Sequence, residues 1–222
     1  MNLTLFDLDG TLLPIDSDHA FGDFMVRIGW ADGDAFRRTN DRFFADYQAG
    51  RLDLAAYIRF ATGPWRDLPA ADMAAGRERF MNEAIHPVLH EVARLLVQGH
   101  QQAGDLVAIV TATNEFITRP IADAFGVPEL LAVELERDAN GRATGAIRGI
   151  PSYREGKVPR VEAWLAKQGR ARADFSRVTV YSDSTNDLPL LEWATHAVAT
   201  NPSAELEAVA RERAWPILRL FE

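Results

Sequence analysis

The chain sets two aspartates two residues apart at the end of an apolar run, with Leu3-Thr4-Leu5-Phe6 leading into Asp7-Leu8-Asp9-Gly10-Thr11. In an extended segment residues i and i+2 point the same way, so Leu8 turns aside while Asp7 and Asp9 emerge together where the strand ends. Two carboxylates held that close repel one another unless a cation neutralises them or one keeps a proton, and either outcome is usable chemistry. Taken alone, the pair also fits an ordinary exit from a strand into a loop.

The rest of the chain gives that strand a setting. Asp16-Ser17-Asp18 offers N-cap oxygens, and Phe21, Phe24, Met25 and Ile28 follow at the spacing of one helical face, so a helix is expected to begin near residue 17. Similar faces recur at Phe36, Phe43, Phe44 and Tyr47, at Leu54, Tyr57, Ile58 and Ala61, and at Met73, Phe80, Met81 and Ala84, with Gly50 and Gly63-Pro64 as breaks. Residues 16–85 therefore read as a helical block whose aromatics serve as its core. After Pro87 the pattern alternates: helix 88–103, strand Leu106–Val110, helix Asn114–Phe125, helix 156–168, strand Val178–Tyr181, a helix from about Asn186, strand Ala197–Ala199, helix 203–213 and a short strand near Ile217. Asn140-Gly141, between Val133–Glu136 and Ala143–Ile147, reads as a hairpin turn. The expected fold is α/β, a doubly wound, Rossmann-like parallel sheet formed by 1–15 and 86–222, with 16–85 inserted as a helical cap.

Bulk properties narrow the function. Apolar residues make up 47% of the chain, enough for a substantial core, and the net charge of −8 without a basic block argues against nucleic acid or an anionic membrane as partner. There is no cysteine, so disulfides and thiolate metal sites are excluded. With no basic leader and no apolar run near the ~20 residues that span a bilayer, a cytoplasmic protein is expected.

Four segments carry polar groups to strand ends or a helix start: Asp7 and Asp9; Thr111 after Val107–Val110; Lys157 in Arg154-Glu155-Gly156-Lys157; and Asp183 with Asp187 in Tyr181-Ser182-Asp183-Ser184-Thr185-Asn186-Asp187. In an open parallel sheet the carboxyl ends of strands converge on one crevice, so these residues are expected to share a site. Several carboxylates without histidine or cysteine favour a hard, oxygen-seeking ion, and Mg²⁺ suits a couple of carboxylates, waters and phosphate oxygens. Lys157 and the Thr111 hydroxyl supply positive charge and donors of the kind a transferring phosphoryl group requires.

These four segments, in this order, resemble the motifs of the haloacid dehalogenase superfamily of phosphohydrolases, and the helical insert is similar to its phosphoserine phosphatase-like branch. Asp16-Ser17-Asp18-His19-Ala20, Val110-Thr111-Ala112-Thr113-Asn114 and the segment from Tyr181 through Glu192 resemble a bacterial subgroup that includes histidinol-phosphate phosphatases. The resemblance implies that Asp7 is a nucleophile forming an aspartyl-phosphate and that Asp9 is the general acid and base. It also implies Mg²⁺ held by Asp7, the Asp9 carbonyl and Asp183, with Asp187 behind them. Phosphate would meet Asp7, Gly10, Thr11, Thr111, Ala112, Lys157 and Asn186, the last helping to position Lys157 or the phosphate. Serines flank Asp183 where the family usually has glycines, which questions the geometry of that strand exit. Ala112-Thr113 replaces the glycine pair of phosphoserine phosphatases, so the expected substrate is a small amino-bearing phosphate such as histidinol phosphate, with phosphoserine ranked behind it.

Three residues of the insert are further candidates for touching substrate. Asp16 falls where that branch meets the substrate amine, although Asp16 and Asp18 serve equally well as helix caps. His19 could bind a polar substrate end or be structural, and Arg51 after Gly50 could be a solvated charge. Two other activities stay open: a phosphotransferase or mutase on the same scaffold, and a phosphate-accepting signalling module of the receiver type.

Overall fold

A computed structural model of the chain describes residues 1–221. β1 (Asn2–Phe6) lies at the centre of a six-stranded, wholly parallel sheet, between β2 (Leu106–Asn114) and β6 (Arg177–Ser182). Beyond β2 runs β3 (Glu129–Val133), and beyond β6 run β7 (His196–Thr200) and β8 (Ile217–Leu218). The chain leaves β1 in one direction to reach β2 and returns to its other side for β6. This reversal of winding opens a crevice at the carboxyl end of β1.

Alternation along β1 assigns the faces. Leu3 and Leu5 pack with Val178, Val180, Ala108 and Val110 against α7 (Lys157–Lys167), α8 (Leu188–Trp193) and α9 (Ala204–Glu212). Phe6 points the other way, onto α5 (Glu91–Gln102), α6 (Glu115–Ala124) and the helices inserted after β1. Those are α1 (Ser17–Arg27), α2 (Gly33–Gln48), α3 (Leu54–Thr62) and α4 (Ala70–Phe80), the last running on through a π-turn to Ile85. Their aromatics fill one apolar core shared with the sheet: Phe21 meets the edge of Phe80 at 5.0 Å, and Trp65 stacks on Phe116 of α6 at 4.2 Å. None of the described helices is long and apolar enough to cross a membrane.

Several boundaries differ from those expected. β2 runs on past Val110 to Asn114, so Thr111 lies within the strand; pairing to β3 carries it there after a register shift. Val133 ends β3 rather than opening the hairpin, whose arms are β4 (Leu135–Arg137) and β5 (Ala143–Ile147). Glu129–Val133 escapes the sequence pattern because Leu131, Ala132 and Val133 are buried in succession, with no period-two alternation, and no turn residue separates the strand from the next arm. Pro87 opens a single 3₁₀ turn, His86–Val88, and the extended Leu89 delays α5 to Glu91. A 3₁₀ turn, Thr185–Asp187, precedes α8 in the same way.

Candidate active site

Pairing with β6 extends one residue beyond β1, because the Asp7 amide donates to the Tyr181 carbonyl at 2.9 Å. Asp7 is thereby fixed at the crevice, and its carboxylate accepts a bond from Lys157 Nζ at 2.8 Å. Lys157 is the first residue of α7 and is buried; its ammonium also donates to Asp187 Oδ2 at 2.7 Å, and Ser182 Oγ donates to that same oxygen at 2.8 Å. Burial alone would lower the lysine's pKa, but the charges of Asp187 and Asp7 outweigh it and hold the ammonium protonated, well above its usual range.

Gly10 brings the next carboxylate in. Its φ is +76°, and a Cβ there would lie 2.3 Å from Asp183 Oδ2, so both backbone and space require glycine. Asp183 accepts a bond from Thr11 Oγ1 at 3.1 Å, while its carbonyl takes the Ser203 amide at 2.9 Å. The serines beside Asp183 bring no strain. Ser184 is extended at φ −119°, its hydroxyl accepts the Asn186 amide at 3.1 Å, and Ser182 serves Asp187.

Asp9 is held differently. One oxygen accepts the Ser17 amide at 2.9 Å and the other accepts Thr113 Oγ1 at 2.8 Å, while the Thr113 amide donates to Thr111 Oγ1 at 3.2 Å. Burial pushes the Asp7 carboxyl up to about 7 against the opposing pull of Lys157. Burial also raises Asp9 to about 7, with the neighbouring charge of Asp16 adding to the rise. What separates the two acids is their company, since Asp7 faces an ammonium and Asp9 does not.

Asp7, Asp9, Thr111 and Ala112 line a crevice whose far wall comes from the inserted block: Asp16, Asp18, His19, Phe44 and Tyr57. An adjoining, wider mouth reaches Gly10, Asp183 and Asn186 on one side and Tyr47–Gly50 on the other. Asp16 is the N-cap of α1 and accepts the His19 amide at 2.7 Å; His19 Nε2 pairs with Asp41 at 2.8 Å and its ring lies 4.7 Å from Phe44.

Arg51 and Asn186 bond elsewhere than to the crevice acids or Lys157. Arg51 turns away to Asp46 at 2.8 Å, two-thirds exposed, and lines neither space, because the chain reverses at Gly50. The Asn186 amide does not reach toward Lys157. It donates to the Tyr47 carbonyl at 3.0 Å, tying the inserted block to the core, and Arg154 makes a parallel tie to the Gly50 carbonyl. Thr113, Asn40, Tyr47 and Tyr57 also belong to the site although they were not singled out. The signal for Thr113 was available, since it alternates with Thr111 along β2; the others come from helices whose facing only the packing reveals.

The donor set suits Mg²⁺. Asp183 is half-buried beside Asp7 and Asp187, and desolvation together with those two charges pushes its carboxyl well above the usual range, so negative charge here is under-compensated. Among the described residues no three carboxylate or imidazole groups converge as a complete ligand cage. An ion held by Asp7 and Asp183 would therefore complete its shell with a backbone carbonyl, water and phosphate oxygens, which is the habit of Mg²⁺ rather than of Ca²⁺ or Zn²⁺.

A family model described as haloacid dehalogenase-like hydrolase matches residues 4–192. The chain belongs to this family. It is 41% identical over 98% of both chains to a histidinol-phosphatase from Neisseria meningitidis, and 31% identical to phosphoserine phosphatase SerB1 from Mycobacterium tuberculosis, covering 96% of this chain and 68% of that one. A solved structure of a protein of unknown function from Bordetella pertussis superposes with a TM-score of 0.93 at 48% identity, covering 99% of each chain. A substrate-bound phosphoserine phosphatase shares the fold, with a TM-score of 0.68 at 17% identity over 98% of this chain and 92% of that one. The enzyme is a phosphatase of this family.

Proposed function

We propose that the enzyme hydrolyses a small amino-bearing phosphomonoester through an aspartyl-phosphate on Asp7, with residues 16–85 closing over the substrate as a cap. The observation that carries this reading is the Asp7 carboxylate, buried at the crevice floor 2.8 Å from the Lys157 ammonium, with Asp9 two residues beyond it, held by the Ser17 amide and the Thr113 hydroxyl and facing no ammonium.

Asp7 attacks phosphorus as the bond to the leaving oxygen breaks, and the Asp9 proton passes to that oxygen to release the alcohol. Asp9, now ionised, takes a proton from the water that attacks the aspartyl-phosphate; inorganic phosphate leaves and both carboxyls return to their starting state. Lys157 and the donors of Thr111 and Ala112 hold charge on the phosphoryl oxygens, and Asp187 keeps Lys157 aimed. Asp7, Asp183 and the Asp9 carbonyl would hold Mg²⁺, which would supply neutralising charge for the phosphate oxygens.

The 41% identity to a histidinol-phosphatase, together with four acids lining the crevice, supports histidinol phosphate as the substrate. Asp7→Asn tests the chemistry: Mg²⁺-dependent kcat for any phosphomonoester should fall by at least ~10³-fold. Retention of near wild-type rate would remove the nucleophile assignment.

A further inference from the structure

The crevice has two unlike ends. At the Asp7 end the negative charge meets Lys157. At the other end Asp18, on the first turn of α1 and 7% exposed, lines the wall with no cation beside it. The charges acting on Asp18 are those of Asp16 and Asp9, both negative, and its bonding partner is the neutral hydroxyl of Tyr57 from α3. The neighbouring imidazole is committed elsewhere, to Asp41. A carboxylate buried in this way is costly to keep ionised unless something positive fills the space before it. It also has acceptor capacity left over, since a carboxylate offers about four lone-pair sites and one hydroxyl takes a single one.

Asp16 stands in a different position although it lies two residues away. It is the helix N-cap, its oxygens engaged by the backbone amides of His19 and Asp18, so moving it toward a ligand would uncap α1. Around Asp18 the crevice is walled by Phe43, Phe44 and Tyr57, whose ring faces attract a cation, and by the buried Asn40.

We propose that Asp18, oriented by the Tyr57 hydroxyl, is the residue that receives the ammonium group of the substrate, and that Asp16 remains a structural cap. The proposal rests on the amino-phosphate reading above and names the side chain that enforces it. It makes the crevice a ruler between a phosphate end and an ammonium end, which disfavours phosphomonoesters lacking a cation because Asp18 would then keep its proton or lie ionised with no positive charge before it.

The test is a discrimination ratio, kcat/KM for histidinol phosphate divided by kcat/KM for its desamino analogue, measured with Mg²⁺ for the wild type and for Asp18→Asn, Asp16→Asn and Tyr57→Phe. Asp18→Asn should lower the ratio about 10- to 100-fold, the range of one charged hydrogen bond. Tyr57→Phe should lower it severalfold, and Asp16→Asn, which keeps a capping oxygen, should leave it within about twofold. A merely structural role for Asp18 would depress both substrates together and leave the ratio unchanged, which would overturn the assignment. A ratio that collapses in Asp16→Asn but not in Asp18→Asn would overturn it too. If the wild type itself shows no preference for the amine, the substrate reading fails first, and that outcome is seen before any variant is made; should Asp18→Asn not fold, an unchanged ratio in Tyr57→Phe overturns the proposal.

Discussion

Replacing Lys157 with methionine removes the one ammonium that faces two buried carboxylates while keeping the length of the side chain. Lys157, Asp7 and Asp187 are each at least 95% buried in their side chains, with bonds of 2.8 and 2.7 Å. Breaking such a cluster by deleting one partner typically costs about 3–5 kcal/mol, because the charges left behind cannot be rehydrated. For a chain of this size that corresponds to a fall in melting temperature of roughly 6–20 °C. The pH dependence follows from the directions of the shifts. Lys157 has its folded pKa raised, so its contribution is fully present below its unfolded value of 10.5 and is lost only as pH rises through the still higher folded value. In the variant Asp7 loses the opposing pull of Lys157 and holds its proton to a higher pH than the wild-type value of about 7, so the defect should grow as pH rises above 7 and shrink as Asp7 takes up a proton. Thermal melts in EDTA, repeated with Asp187→Asn and the double variant, provide the assay. The double variant should be more stable than the two single losses add up to, by about 0.5–3 kcal/mol. A loss below about 1 kcal/mol, or strict additivity, would refute the picture of a lysine that compensates both carboxylates.

Arg154→Gly keeps the left-handed turn at φ +49° and removes the guanidinium that ties the 47–50 segment to the core. KM should rise up to about 10-fold, the value of one charged hydrogen bond, with kcat changed less; equal effects on both would argue against a tie that holds the closed cap. The metal-free protein should also respond to pH. Asp7 and Asp9 both have raised folded pKa values, so their contribution is fully present below the unfolded value of 3.8 and is lost as pH rises to about 7. Melting temperature in EDTA should therefore fall between about pH 4 and 7, and less steeply in Asp9→Asn; an identical slope in that variant would contradict the Asp9 environment described here.

The sheet and the acid pair were legible because both follow from local rules. Period-two alternation sends Leu3 and Leu5 to one face and Phe6 to the other, and the same period brings Asp7 and Asp9 out together. The order of Thr111, Lys157 and Asp183 was enough to bring them to one crevice because every strand of a parallel sheet ends on the same side. What the sequence could not give was orientation of the inserted helices. Asp16 and Asp18 both sit at the start of α1, read alike as caps and both line the crevice, yet packing engages Asp16 with the His19 amide as the cap. The partners of Arg51 and Asn186 were hidden for a related reason. The reversal at Gly50 swings Arg51 outward to Asp46 and presents the Tyr47 and Gly50 carbonyls to Asn186 and Arg154, contacts between segments over 100 residues apart. β3 hid because an edge strand running almost directly into a hairpin arm carries no turn residue to mark its end.

The central claim is that phosphate passes through Asp7. Rapid acid quench of the Mg²⁺-loaded enzyme during turnover of histidinol phosphate, followed by mass spectrometry of the peptide spanning Asp7 and Asp9, tests it most directly. A phosphoryl adduct on Asp7 that forms and decays at rates matching kcat, and that is absent in Asp7→Asn, is the predicted result. An adduct on any other residue, or turnover by Asp7→Asn at near wild-type rate with no adduct, would contradict the account.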